Sequence, residues 1–325
     1  MTQLLTTLAV VIGALTAGYL YRIRRLRQDP AAGESLRGLA TALQKTTITV
    51  FTPVILVNTF WALNVTAGSL VFFPIIGALS HVVGGFVALA ASRRLGHSRR
   101  QAGAMFTCGT FSNLASFGGL VTFMYYGEAG YALAALFKLF EPIAYFSIGF
   151  PIAKMYSEDS LPGSRLRLDW RALVRDRIVM LPLVGISAGA LLNWSGLARP
   201  ELLGSLIAPL VMVSTSMMLV SVGLNMRPAP LGSYRREVAS IVAIKHLLLP
   251  ALMAAAGTAL GYHLLAGGLP WRVLVTMGSM PVAFNSLVAA SLYRLDTDLA
   301  NLCWIVSTGV FAAVLLPLLY LVSLL

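Results

Sequence analysis

Five ionisable side chains sit inside stretches that are otherwise apolar: His81, Lys138, Glu141, Lys245 and His246. Charge is expensive away from water, so each needs a partner or a task. Lys138 and Glu141 are three residues apart, the spacing of neighbours on one helix face, and an ion pair between them would hold helices together without titrating. Glu141 is otherwise a group that can carry a coupling proton. His81 stands alone midway along its run. An imidazole titrates near physiological pH, which makes it a coupling candidate, and a packed core histidine is the plainer reading. Lys245 and His246 lie about two turns into another run, where a lysine either snorkels to the interface or draws anions inward. Two amides, Asn113 and Asn285, stand beside residues that interrupt helices: Gly118 and Gly119 in one run, Pro281 in another. A half-helix that begins within an apolar layer points N–H groups and the positive end of its dipole inward, which favours a carboxylate. Asparagine can donate to an anion or accept from a protonated acid, although polar side chains also serve simply to join helices.

A third polar set follows two further prolines: Asn58 after Pro53, and Ser214 and Thr215 after Pro209. These residues either face the same cavity or satisfy carbonyls that the prolines release. Asp296 and Asp298 have the form of a metal-binding pair, but they directly precede an apolar run, where acidic capping is the better account. Cys108 and Cys303 have no metal-ligand spacing and read as small buried apolar residues. Neither a metal, a cofactor nor a catalytic residue is expected.

The elements that must position these groups are set by composition. Of the 325 residues 58% are hydrophobic and 11% charged, with mean hydropathy +0.80, so the chain is read as an all-α integral membrane protein. Ten apolar runs are long enough to be helices, near 2–21, 38–63, 69–92, 101–125, 129–155, 177–195, 201–226, 237–263, 270–293 and 298–325. The first lacks a cleavage site of small residues and is read as a retained helix. The net charge of +12 would suggest nucleic acid in a soluble protein, but the basic residues fall in short connections between runs, so no nucleic-acid partner is expected. Arg22, Arg24, Arg25, Arg27 and Arg37 follow the first run, and Arg93, Arg94, Arg99 and Arg100 the third. Lys154, Arg165, Arg167, Arg171 and Arg175 follow the fifth, and Arg227, Arg235 and Arg236 the seventh. Every second connection is basic, which places those connections in the cytoplasm and both termini outside, in a plasma membrane of the bacterial inner-membrane kind.

The segment Thr52-Pro53-Val54-Ile55-Leu56-Val57-Asn58-Thr59 matches Ala208-Pro209-Leu210-Val211-Met212-Val213-Ser214-Thr215 five runs later. Weaker echoes pair Gly13 and Ala17 with Gly185 and Gly189, and Tyr126-Gly127-Glu128 with Tyr293-Arg294-Leu295-Asp296. Halves with an odd helix number lie in the membrane in opposite senses, so these matches predict two inverted repeats of five helices. The expected organisation is a first repeat over 1–155, a cytoplasmic loop over 156–176 and a second repeat over 177–325.

The segments Phe111-Ser112-Asn113, Phe117-Gly118-Gly119 and Tyr126-Gly127-Glu128-Ala129-Gly130 resemble helices four and five of the auxin efflux carrier family, within the wider bile acid symporter and auxin carrier superfamily. Met280-Pro281-Val282-Ala283-Phe284-Asn285-Ser286, Leu295-Asp296-Thr297-Asp298-Leu299-Ala300 and Pro317 resemble its last two helices. The resemblance implies interrupted fourth and ninth helices that cross at the substrate site. It also implies a scaffold of helices one, two, six and seven, often dimeric, and a moving transport unit of helices three to five and eight to ten. Its members are associated with malate, malonate and similar carboxylates in bacteria, and with auxin in plants. The chain departs from the family where a proline usually follows the helix-four glycine by two residues; here Gly119 and Leu120 follow Gly118. The expected function is therefore elevator-type transport of small organic anions, with proton coupling ahead of sodium coupling. A sodium-coupled bile-acid-type symporter is the alternative, and sodium would draw on Thr110, Ser112, Asn113 and Asn285. A channel would lack the need for two interrupted helices. Hydrolase motifs such as His-Glu-x-x-His and Gly-x-Ser-x-Gly are missing from the sequence.

Overall fold

A computed structural model of the chain describes residues 2–63, 69–157, 177–227, 232 and 234–324. The expected loop over 156–176, with Arg165, Arg167, Arg171 and Arg175, lies outside the described residues except for its first two positions. Among the described residues every regular element is helical and there is no β-strand. In chain order they are α1 (Thr2–Gln28), α2 (Gly33–Trp61), α3 (Leu70–Arg94), α4 (Arg99–Thr110), α5 (Gly119–Phe137), α6 (141–155), α7 (Arg177–Trp194), α8 (Glu201–Asn225), α9 (Arg235–Ala259), α10 (Leu269–Gly278), α11 (Asn285–Leu292) and α12 (Thr297–Ser323).

Seven described stretches are long and apolar enough to cross a membrane, rather than the ten runs expected: α1, α2, α3, the stretch Leu114–Met155 that holds α5 and α6, α8, α9 and α12. The difference has local causes. The fourth and ninth runs are each broken, after α4 and after α10, and the second part of the fourth run joins the fifth in one stretch through α5, which is kinked at Gly127. The sixth survives as a shorter apolar helix, Met180–Trp194.

Proline shapes four of the long helices in the same way. Each of Pro53, Pro151, Pro250 and Pro317 is preceded by one wide i→i+5 turn, at Thr47–Phe51, Tyr145–Gly149, Ile244–Leu248 and Phe311–Leu315. The proline ring would strike the carbonyl four residues back and offers it no N–H, so the chain widens one turn and continues. Elsewhere polar residues start helices. Ser98 and Gln101 form a reciprocal capping box on α4. The Asp296 carboxylate accepts from the Leu299 N–H at 2.9 Å at the start of α12, so capping is what this aspartate does. Its second oxygen takes the Tyr234 hydroxyl at 2.9 Å. Burial, and then that carboxylate, push the Tyr234 phenol up to about 12.

The chain divides into two compact units. The first holds Met1–Thr66, Ala115–Ala135 and Trp170–Met226. In it α1 packs on α8 and α7 on α2. A Cβ on Gly18 would meet the Val220 carbonyl oxygen at 2.3 Å, and one on Gly223 the Leu15 oxygen at 2.2 Å, so this pair of glycines lets two backbones touch. Gly189 does the same against the Val57 oxygen at 2.5 Å. Gly13, which the sequence echo sets against Gly185, has nothing within 4 Å; the close-packed glycine of α1 is Gly18. Ile55, Ile207 and Val211 form a core with Phe123 and Tyr131. Arg199 binds Glu128 through both guanidinium nitrogens and donates to the Asn58 carbonyl at 3.2 Å.

The second unit holds Ala67–Leu114, Leu136–Asp169 and Arg227–Leu325. Here α3 lies against α4 through Gly84 and Gly109: a Cβ on Gly109 would sit 2.3 Å from the Gly84 oxygen, and one on Gly84 2.4 Å from the Gly109 oxygen. Phe106, Leu89 and Ala102 fill the rest of that seam, with Ile148 and Ile152 of α6 against them. Cys108 and Cys303 are free and fully buried.

Substituting Gly109→Ala should lower stability by about 1–3 kcal/mol, because the added methyl overfills a seam between two backbones. Gly13→Ala, with open space around it, should be neutral or gain up to about 1 kcal/mol from helix propensity. Thermal unfolding of both variants in detergent checks this, and equal midpoints would refute the packing account.

Candidate functional site

In hydrocarbon a helix can stop only where something else satisfies its backbone. The second unit holds two such stops. α4 ends at Thr110, and Phe111 turns extended with ψ 121°. α10 ends at Gly278, and the chain does not resume a helix until Asn285. The two unwound pieces pair as a short antiparallel bridge between Ser112 and Val282. The Asn113 N–H donates to the Pro281 carbonyl at 2.8 Å, and the Ala283 N–H to the Phe111 carbonyl at 3.0 Å. Proline suits its place because it accepts there and has no N–H to lose.

Side chains from four helices satisfy the remaining groups. From α9, Lys245 Nζ donates to the Gly109 carbonyl at 2.7 Å and to Ser112 Oγ at 2.8 Å. From α3, His81 Nδ1 meets the Thr110 carbonyl at 2.9 Å, so that nitrogen carries the proton, and Nε2 has no partner among the described residues. From α6, the Tyr145 hydroxyl donates to the Ser112 carbonyl and accepts from the Ser112 N–H, each at 3.1 Å. It also lies within hydrogen-bonding reach of Glu141. Its ring stands edge-on to His81 and Phe111, at 5.0 and 4.5 Å between centroids. From α12, the Ser307 hydroxyl accepts from the Val282 N–H at 3.2 Å. His246 faces a carbonyl with each ring nitrogen, Ser279 at 3.1 Å and Ser307 at 3.0 Å. Both contacts are hydrogen bonds only when both nitrogens carry protons; with one proton a lone pair faces an oxygen.

The structure therefore brings together Asn113, Pro281, Lys245, His246 and His81 within the second unit. Asn113 is buried, and Asn285 is exposed at the first residue of α11, whose N-terminus no side chain caps. Glu141 starts α6 just before Pro142 and Lys138 lies in the turn that precedes it, so the two do not share one continuous helix face as their spacing implies. Lys138 still acts on Glu141 as the nearby opposite charge. Lys245 does not snorkel; it is fully buried.

The other candidates belong to the first unit. Gly118 closes a wide turn over Leu114–Gly118 and Gly119 opens α5, so the unwound stretch lies at Phe111 to Asn113, before the glycines rather than at them. Thr122 Oγ1 takes the Gly118 carbonyl at 2.6 Å. Asn58 donates to the Val54 carbonyl one turn back, at 2.9 Å, and Ser214 to Val211 at 3.0 Å; both are buried, as is Thr215. These are helix-internal bonds, but the carbonyls bonded, Val54 and Val211, are not those that Pro53 and Pro209 release. Tyr145 and Ser307 hold the two unwound pieces and were not singled out from the sequence, while Ser112 was named there only as a ligand for sodium. The signal for Tyr145 was its place four residues after Glu141, on one helix face.

Tyr145→Phe removes the hydroxyl that serves both backbone groups of Ser112, so it should cost about 1–3 kcal/mol for the groups left unsatisfied. Thermal unfolding of Tyr145→Phe beside Tyr156→Phe, an aromatic change away from the crossing, measures this; equal midpoints would mean that the crossing does not need the hydroxyl.

No family model matches the chain. It is 26% identical over 282 residues to a protein of Methanothermobacter thermautotrophicus named as an uncharacterized transporter, across 86% of this chain and 87% of that one. With its seven candidate spans, the chain is a multi-pass, all-helical membrane protein similar over most of its length to a transporter.

Proposed function

We propose that the chain is a secondary transporter for small organic anions of the auxin efflux carrier type, working by elevator-type alternating access. The observation that carries this reading is the pair of interrupted helices whose unwound pieces bond to each other between Ser112 and Val282. Broken helices of this kind build mid-membrane substrate sites from helix ends. The anion is assigned to the second unit, at the start of α11 with the exposed Asn285 amide, beside Asn113 and Pro281. Positive charge is already there in Lys245. Malate- or malonate-like carboxylates and auxin-like acids are the substrate class. Among the ionisable candidates the coupling proton is assigned to His246, whose two carbonyl contacts are both met only in the two-proton form.

Ten crossings in two inverted halves, 1–155 and 177–325, complete the proposal. Three observations support it. The packing of α1 on α8 is mirrored by that of α7 on α2, as expected when the first and second helices of each half trade partners. The echo between Tyr126-Gly127 and Tyr293-Arg294 falls on positive φ in both places, 66° at Gly127 and 51° at Arg294. Wide turns precede Pro151 and Pro317 alike. In this reading helices one, two, six and seven, all within the first unit, are the scaffold, and the second unit belongs to the moving part. Exposed Val184, Leu191, Trp194 and Leu202 on α7 and α8 suit lipid or a second copy in a homodimer. The termini lie outside, by the distribution of basic residues. Sodium-coupled symport is the competing mechanism.

Thermal unfolding of the purified protein in detergent against a panel of small carboxylates and auxin-like acids tests the substrate class. A bound ligand at about 100 times its Kd adds roughly 2.7 kcal/mol. We expect a selective rise for one carboxylate class, and a reduced rise for it in Asn113→Ala and Asn285→Ala at unchanged ligand-free stability. A folded protein that responds to none of the acids would overturn the anion reading; full response in both variants would move the site elsewhere.

A further inference from the structure

We propose that the ammonium of Lys245 is a resident cation: it fills, from within the chain, a site for a small monovalent cation built from the Gly109 carbonyl and the Ser112 hydroxyl. Both ligands are neutral oxygens, at 2.7 and 2.8 Å. One of them is the carbonyl of the next-to-last residue of α4, the negative end of that helix dipole, where a cation is favoured. Among the described residues no carboxylate lies within 4.0 Å of Lys245, so the side chain is not there to close an ion pair. It is also fully buried, the opposite of what a long flexible ammonium does when water is within reach. The site is held in place independently of the lysine. Tyr145 takes both backbone groups of Ser112, which leaves the serine hydroxyl free to face Lys245.

The charged and titratable groups around it fit a cation that is not cancelled locally. His81 on α3 bonds the Thr110 carbonyl, next to Gly109, and His246, the next residue on α9, turns to the Ser279 carbonyl. Tyr145 on α6 touches Ser112, and Glu141 lies within hydrogen-bonding reach of the Tyr145 hydroxyl. Two consequences follow. The Gly109 carbonyl and the Ser112 hydroxyl are already taken, so the wild-type chain does not bind sodium through them. The charge of a bound organic anion, on the function proposed above, is answered by Lys245 in place of a co-transported metal ion.

The test uses the full chain in detergent and no organic anion, so its failure and failure of the anion reading are separate results. Thermal unfolding is followed in sodium chloride and in choline chloride, with methylammonium or ethylammonium chloride added. Wild type should show the same midpoint in sodium and choline and no response to the amines. Lys245→Ala should unfold several degrees lower and recover in a saturable way with ethylammonium or with sodium, because the emptied oxygen site accepts a free cation. Lys245→Gln, neutral and one bond shorter, serves if the alanine variant does not fold; it should also unfold below wild type, with a drop that shrinks in sodium. Selective stabilisation of wild type by sodium would overturn the proposal. So would a lysine variant that matches wild type, or one that falls and answers to no cation.

Discussion

Where a helix stops inside hydrocarbon, the carbonyls of its last turn have no water to turn to. Two helices stop in this way in the second unit, at Thr110 and at Gly278, and the surrounding elements are arranged around that fact. Part of the cost is offset by pairing one unwound piece with the other. The rest falls to side chains, which is why helices that are otherwise apolar carry His81, Tyr145, Lys245, His246 and Ser307. Polar residues in a membrane protein are often read singly, as ligands or as coupling groups. Here five of them are first of all the partners that allow the break to exist, and any chemistry they perform is added to that duty.

Close approach of backbones is the second condition. Lys245 reaches the Gly109 carbonyl, and His81 the Thr110 carbonyl, only if α4 lies near its neighbours. Gly84 against Gly109 supplies the approach for α3, with no side chain between the two chains. Proline acts at longer range along each helix. By forcing a wide turn at Ile244–Leu248, Pro250 changes the angular spacing of the residues it follows, and Lys245 and His246 lie within that turn.

Much of the architecture was legible in the residues. Apolar runs located the long helices, Asp296 announced a cap, and Pro281 marked a break, because each of these depends on local chemistry. The first break was not legible. Gly118 and Gly119 looked like its site, yet the unwound stretch lies at Phe111 to Asn113, where nothing in the local sequence forbids a helix. Its position is set by the partner segment 281–283, far away in the chain, and no single-segment reading can show that. Lys138 and Glu141 failed for a similar reason: their spacing was right for one helix, but Pro142 ends the preceding helix before the spacing applies. Of the two readings of Lys245, snorkelling to water is the one that its burial removes. Its burial depends on oxygens supplied by α4, again a tertiary fact.

Consecutive residues on α9 serve different breaks. Lys245 takes the end of α4 at Gly109, and His246 takes the end of α10 at Ser279. One wide turn thus holds both broken helices, and His246 continues the connection to α12 through Ser307. A change at either position is felt at both stops, because the backbone that carries Lys245 also carries His246. If the crossing moves during transport, α9 has to move with it, since leaving α9 behind would strand the carbonyls of Gly109 and Ser279 in an apolar layer. On the proposed function, the same logic would carry α3, α6 and α12 along through His81, Tyr145 and Ser307. Hydrogen-bond satisfaction at two helix ends is in this way enough to define which elements must travel together.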